Sequence, residues 1–266
     1  MEANHIIKTL GILFAFAICG VSSLWAETIV SVPQPGILSS QLTTMDKNVK
    51  INGAINGTDI KYLRQLVAAG NLQSIDLSEA TIVSGGDAYY ETYTTSDDDM
   101  GAYSFYNHRG LVSLTLPQTI TSIGSNAFAQ SGLMSVQIPD NVVSVGLDAF
   151  AYCSQLSTVE IGENVKRLSQ GVFYNSEVKH VYVKAKTPSA IGNYLFSSKP
   201  IIHVYAESLA EYEVSTWAEY GTLVGDLGEY TKIKEVDAVS QKSPDGFIYD
   251  LLGRRGSSLQ PANIYI

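Results

Sequence analysis

A phenylalanine returns at Phe105, Phe128, Phe150, Phe173 and Phe196, at steps of 23, 22, 23 and 23 residues. A fixed step of this size constrains the fold more than composition does, because it means that one short supersecondary unit is stacked several times. A unit this short has nothing inside itself against which to bury an apolar side. The core therefore has to form between neighbouring units.

The units run from Gly110 to Ser131, Gly132 to Cys153, Ser154 to Ser176 and Glu177 to Lys199, and their apolar positions superimpose. Leu111, Leu133, Leu156 and Val178 fill the first slot, Leu114, Val136, Val159 and Val181 the second, and Leu116, Ile138, Ile161 and Val183 the third. The spacing L-x-x-L-x-L ends in alternation, which predicts a short strand with one buried face. Pro117 and Pro139 close two of these strands, since proline has no amide hydrogen to give to a ladder. A second apolar pair follows, as in Ile120 with Ile123. Ser125-Asn126-Ala127-Phe128, read as a helical turn or 3₁₀ stretch, then carries the aromatic inward. The expected architecture is an α/β-type repeat solenoid. It has a curved parallel β-sheet on one side, helical or 3₁₀ turns on the other, and a cap at each end over the last apolar rung. Cys153 shares its slot with Ser131 and Ser176, which marks it as a small packing residue.

With these residues in view, the units resemble the BspA-type leucine-rich repeats of bacterial surface proteins, whose pattern is L-x-x-[LIV]-x-[LI]-P-x-x-[VI]-x-x-I-G-x-x-A-F-x-x-C. Gly124, Ala127 and Phe128 fit, as do Gly146, Ala149, Phe150 and Cys153. The third unit departs at Gly162, Ser169 and Val172, and the fourth is looser. The likeness runs from Leu72 to Tyr205. It implies a leucine-rich repeat fold, a protein partner on a host or bacterial surface, and adhesion as the role.

Around the array the chain divides further. Residues 1–26 read as a secretory signal, with Lys8 near the start, an apolar run from Leu10 to Ile18 and a small-residue exit at Ser22 to Ala26. That run is short for a membrane span of about 20 residues, and the sequence holds no second candidate. The expected location is outside the cell, secreted or on the outer-membrane surface, with the periplasm as the alternative. Residues 27–70 read as an amino-terminal helix-strand-helix cap, with Thr58 or Asp59 capping the second helix. The array spans 71–207, and an acidic, tyrosine-rich insertion at 84–101 is read as a bulging loop. Residues 208–230 read as a helical cap. Residues 231–266 form a linker and a short β module resembling the carboxy-terminal module of secreted Bacteroidetes proteins.

Charge and residue inventory narrow the function. The formal charge of −9 and the lack of clustered Lys and Arg argue against a nucleic-acid partner. After the signal, three histidines and one cysteine remain, with no phosphate-cradling loop and no H-E-x-x-H spacing. The expectation is a binding protein and not an enzyme, with no cofactor and no resident metal. Residues in one slot of adjacent rungs become neighbours, so the outward slots run Ser113, Ser135, Thr158, His180, His203 and Thr115, Gln137, Glu160, Tyr182, Tyr205. Glu160, His180, Tyr182, His203 and Tyr205 are the predicted binding surface, able to stack on a sugar or clasp a peptide side chain. Tyr89, Tyr90, Tyr93, Asp97, Asp98 and Asp99 in the insertion form a second candidate patch. A glycan-binding module of a nutrient-uptake system and a self-assembling repeat protein are the alternative readings.

Overall fold

The computed structural model describes residues 27–42 and 47–228, together with the backbone of 248–249 and 255–256. The expected signal at 1–26 and most of the tail module lie outside the described residues. Within the tail, Ile248–Tyr249 pairs antiparallel with Arg255–Gly256.

The chain enters through β1 (Thr28–Val32), α1 (Leu38–Gln41), β2 (Asn48–Ile55), α2 (Gly57–Ala68) and β3 (Ser74–Ile82). Val30 and Val32 of β1 alternate into the core. The amino-terminal segment is thus strand-helix-strand-helix, not the helix-strand-helix that was expected. α2 buries Ile60, Leu63 and Val67, spaced to share one face. Its N-cap is Asn56, upstream of the expected Thr58 or Asp59. Asp59 instead completes a capping box. The Asp59 carboxylate is 1% exposed and accepts from the amides of Gly36 (2.6 Å), Leu38 (2.9 Å) and Asn56 (3.0 Å). It ties the start of α1 to α2, and α1 is four residues long.

The insertion 84–101, expected as a loop, is largely paired. It holds a hairpin of β4 (Gly85–Tyr90) and β5 (Tyr93–Thr95), and its end supplies β6 (Asp99–Met100). From there long and short strands alternate: β7 (Ser113–Thr115), β8 (Ser122–Ile123), β9 (Ser135–Ile138), β10 (Ser144–Val145), β11 (Thr158–Ile161), β12 (Arg167–Leu168), β13 (His180–Val183), β14 (Ala190–Ile191) and β15 (Ile201–His203). The chain closes through α3 (Leu209–Glu213) and β16 (Thr222–Val224), with 3₁₀ turns at Ala206–Ser208 and Thr216–Glu219. The expected helical cap therefore contains one more rung. Tyr212 and Trp217 are fully buried in it and donate to the carbonyls of Ala185 (2.9 Å) and Ser189 (3.0 Å), sealing the last rung.

Two parallel stacks result. The main one runs β1-β2-β3-β7 and then β9-β11-β13-β15-β16, and the Met134 amide carries it across the join to the Val112 carbonyl at 3.2 Å. The second is β6-β8-β10-β12-β14, with two residues per rung. The phenylalanines stack as a column within the core: Phe128 and Phe150 at 5.0 Å, Phe150 and Phe173 at 5.6 Å, Phe173 and Phe196 at 5.3 Å, with ring planes within 16°. The repeat solenoid is therefore as the sequence implied, but its second side differs in detail. The segment around Phe128 is a run of turns with left-handed residues at Asn126 (φ 54°) and Gln130 (φ 61°), which break it before a helix can form. Its amides bond forward to the next rung, as Phe128 N to Ala149 O and Phe150 N to Val172 O, both at 2.8 Å. The turn side is thereby hydrogen-bonded between rungs.

Two repeat positions have a direct packing cause. A Cβ on Gly146 would stand 2.6 Å from the Ser125 amide of the preceding rung, so the stacking distance demands glycine there. Cys153 is fully buried; its Sγ lies 3.3 Å from Ser131 Oγ and donates to the Phe128 carbonyl at 3.2 Å, while Ser176 Oγ accepts from its amide. Burial pushes the thiol pKa up, which suits a packing role over a reactive one.

Candidate functional site

Alternation along each main strand sends every second residue out of the sheet face opposite the core. In β7 and β9 those residues are Ser113, Thr115, Ser135 and Gln137, all exposed. In β11, β13 and β15 they become Thr158, Glu160, His180, Tyr182 and His203, which are half-buried because the longer side chains cover one another. The face changes along the array from small hydroxyls to rings.

Register decides which rings meet. Thr158 pairs with His180 and Glu160 with Tyr182, as the slots predict. The next step is shorter: His180 pairs with Ile201 and Tyr182 with His203. Tyr182 was expected to neighbour Tyr205, and His180 to share a slot with His203. The Tyr182–Tyr205 pairing fails because the strand-to-strand step from His180 is 21 residues there, although the phenylalanine step stays at 23; the two histidines are offset in register but still meet as neighbours, as expected. The outcome is a tighter cluster. The Tyr182 and His203 rings stack at 4.4 Å with planes 12° apart, and His180 stacks on His203 at 5.5 Å.

A hydrogen-bonded relay runs through the two histidines. His203 Nδ1 lies 2.8 Å from Asp226 Oδ1, and His203 Nε2 lies 3.2 Å from His180 Nδ1. The carboxylate accepts from Nδ1–H, so a neutral His203 presents Nε2 as an acceptor and His180 donates to it from Nδ1. The His203 side chain is 12% exposed and Asp226 is 42% exposed, so the pair contributes orientation more than stability. Among the described residues no serine, threonine or cysteine is hydrogen-bonded to either ring. Nor is any group of three or more His, Cys, Asp or Glu placed to hold a metal ion among them.

Asp226 was not foreseen. It lies 23 residues after His203, one repeat period on, and continuing the count past Ala206 would have found it. Tyr205 leaves the cluster. It follows β15, and Lys186 Nζ lies 5.8 Å from its ring centroid; Lys186 also pairs with Glu207 at 3.7 Å. Burial raises the Tyr205 hydroxyl pKa, with nearby Glu163, Glu207 and Asp140 adding to it.

The second candidate patch is dispersed by the hairpin. Tyr89 is 5% exposed and donates to the Ala102 carbonyl at 2.9 Å, so it anchors the insertion. Tyr90 and Tyr93 stay near the surface in a cluster with Tyr103 and Tyr106, with Tyr90 and Tyr103 stacked at 5.0 Å. The Arg64 guanidinium sits 5.2 Å from the Tyr90 ring and donates to the carbonyls of Tyr103 and Ser104, both at 2.7 Å. The aspartates do local work. Asp97 accepts from the Ser84 amide, Asp98 turns the chain at φ 50°, and Asp99 accepts from Ser122 Oγ one rung on.

The family match agrees with this architecture. The family described as BspA type leucine rich repeat region matches residues 90–203 in six copies. A solved leucine rich cell surface protein from Faecalibacterium prausnitzii aligns at 16% identity and TM-score 0.31, covering 62% of this chain and 49% of that one. A leucine-rich repeat protein from Bacteroides ovatus aligns at 16% identity and TM-score 0.30, covering 68% and 67%. The chain thus spans about half the length of the first of these. No curated protein matches the sequence.

Proposed function

We infer, from a chain that belongs to the BspA-type leucine-rich repeat family through residues 90–203, that it is an exported binding protein docking a protein partner on its exposed sheet face. A protein-interaction role is what this repeat type supports in general; surface adhesion is the specific form proposed here. Among the described residues no helix is long and apolar enough to cross a membrane.

The observation that carries the proposal is the Tyr182, His203 and His180 cluster at one end of an otherwise small-residue face. Aromatic rings held against their neighbours lose little conformational freedom on binding, and such groups dominate interface energetics. Asp226 holds His203 in one orientation, so part of the surface is preorganised before a partner arrives.

The test is a binding screen of the full chain against immobilised host matrix and bacterial surface proteins, with a glycan array in parallel. A protein hit should weaken by about tenfold or more in Tyr182→Ala, the loss typical of a hot-spot truncation. Binding confined to the glycan array would replace this reading by the glycan one. A Tyr182→Ala, His203→Ala variant that folds and binds its protein partner unchanged would remove the patch from the account.

A further inference from the structure

The turn side of the solenoid carries a second feature. The residue two positions before each core phenylalanine is left-handed in every rung: Tyr103, Asn126, Asp148, Gly171 and Tyr194 have φ of 59°, 54°, 53°, 66° and 57°. Gly171 alone has no side chain in that ladder. A Cβ there would stand 2.1 Å from Asp148 Oδ1, so the carboxylate occupies the space the missing side chain would take. Along the ladder the Gly171 position is flanked by Asp148 one rung before, whose carboxylate leans over it, and by Tyr194 one rung after.

Tyrosines close the sides. Tyr152 and Tyr174 meet at 5.8 Å with planes 87° apart, and Tyr174 and Tyr194 at 6.2 Å with planes 68° apart. Tyr152 and Tyr194 are 50% and 63% exposed, so these rings present themselves to solvent. Together they line a depression of about 210 Å³ with Asp148 and Gly171 in its wall.

The geometry selects among ligand chemistries. A sugar ring stacks best on coplanar aromatic rings, and these stand nearly at right angles. An apolar side chain would leave Asp148 unanswered, since among the described residues burial alone acts on its carboxylate, with no hydrogen bond or ion pair to it. Burial raises the carboxyl pKa and no nearby cation offsets that, so the site holds a partly desolvated acid without its counter-charge. Perpendicular aromatic walls around an acid are the arrangement that receives a cation, because ring faces and carboxylate all present negative potential. The chain's formal charge of −9 draws such a group in the same direction.

We propose that the depression walled by Asp148, Tyr152, Tyr174 and Tyr194 is a receptor site for one cationic side chain, a guanidinium or an ammonium, presented by a protein partner. The site takes this form because Gly171, with no side chain, lets the Asp148 carboxylate lie in a slot that side chains fill in the other rungs. It lies on the turn side, away from the exposed face of the main sheet, and it stands or falls independently of the His180, Tyr182 and His203 cluster.

The test is a titration of the full chain, with tyrosine rings isotopically labelled for NMR, using three short blocked peptides. They are Gly-Arg-Gly, Gly-Lys-Gly and Gly-citrulline-Gly, the last a neutral isostere of arginine. Saturable shifts at Tyr152, Tyr174 and Tyr194 with the arginine or lysine peptide are expected, and the stronger of the two identifies the cation. The citrulline peptide should bind about tenfold more weakly or not at all. Asp148→Asn and Gly171→Asn should each weaken the cationic peptide by about tenfold. Both variants suit the left-handed backbone, as Asn126 does in the same slot. No saturable shift with either cation, an equal response to citrulline, or unchanged binding by Gly171→Asn would overturn the proposal. Since the peptides probe the depression directly, such a failure would leave the sheet-face reading standing.

Discussion

Replacing Phe150 by alanine tests whether this protein is held together rung by rung. The ring is fully buried and lies between Phe128 at 5.0 Å and Phe173 at 5.6 Å. Truncating a buried phenyl to alanine costs about 3–5 kcal/mol through lost transfer energy and the cavity left behind. The two stacked contacts place Phe150 towards the upper part of that range, because each aromatic pair adds about 0.5–1.5 kcal/mol beyond area burial. Urea unfolding followed by circular dichroism measures the loss. A double-mutant cycle then separates neighbours from strangers. Phe128→Leu with Phe150→Leu should couple by about 0.5–1.5 kcal/mol. Phe105→Leu with Phe150→Leu, two rungs apart, should add within about 0.5 kcal/mol. Equal coupling in the two cycles would refute a nearest-neighbour core, and so would a Phe150→Ala loss under about 2 kcal/mol.

Three further outcomes are expected. Asp148→Asn should raise the melting temperature at neutral pH, because the folded state raises this carboxyl's pKa and so destabilises its ionised form. The gain should shrink as pH falls through the raised folded value towards the ordinary 3.8, where both states are protonated; a lower melting temperature at neutral pH would contradict this. His108 is 9% exposed and burial depresses its pKa, so its contribution to stability is present above the ordinary 6.5 and lost as pH falls through the depressed value. A His108→Gln variant should show a flatter dependence of its urea midpoint over that window, and an identical slope would sink the assignment. Cys153 should resist thiol reagents in the folded chain and react on unfolding, and Cys153→Ser should cost no more than about 1.5 kcal/mol since serine fills the same slot at Ser131 and Ser176. Rapid labelling under native conditions would contradict it.

The exposed sheet face and the turn-side depression place two features of different chemistry on opposite sides of the array. One presents stacked rings preorganised by Asp226, the other a carboxylate among perpendicular tyrosines.

The solenoid, the apolar slots, the aromatic column and the packing role of Cys153 are legible along the chain. Each depends on residues within one unit and on the same slot one period away, so counting along the chain is equivalent to looking across the stack. Counting fails where the unit changes length. The shortened step after His180 sets His203 beside Tyr182 and displaces Tyr205, and only the paired strands show which residues lost their place. The β4–β5 hairpin and the burial of Tyr89 were likewise decided in three dimensions, because the insertion folds against α2, an element outside the period. The depression beside Gly171 follows the same logic. The Asp148 carboxylate lies over Gly171 and meets the tyrosine walls only because the rungs on either side are held at stacking distance, and the tertiary structure supplies that distance.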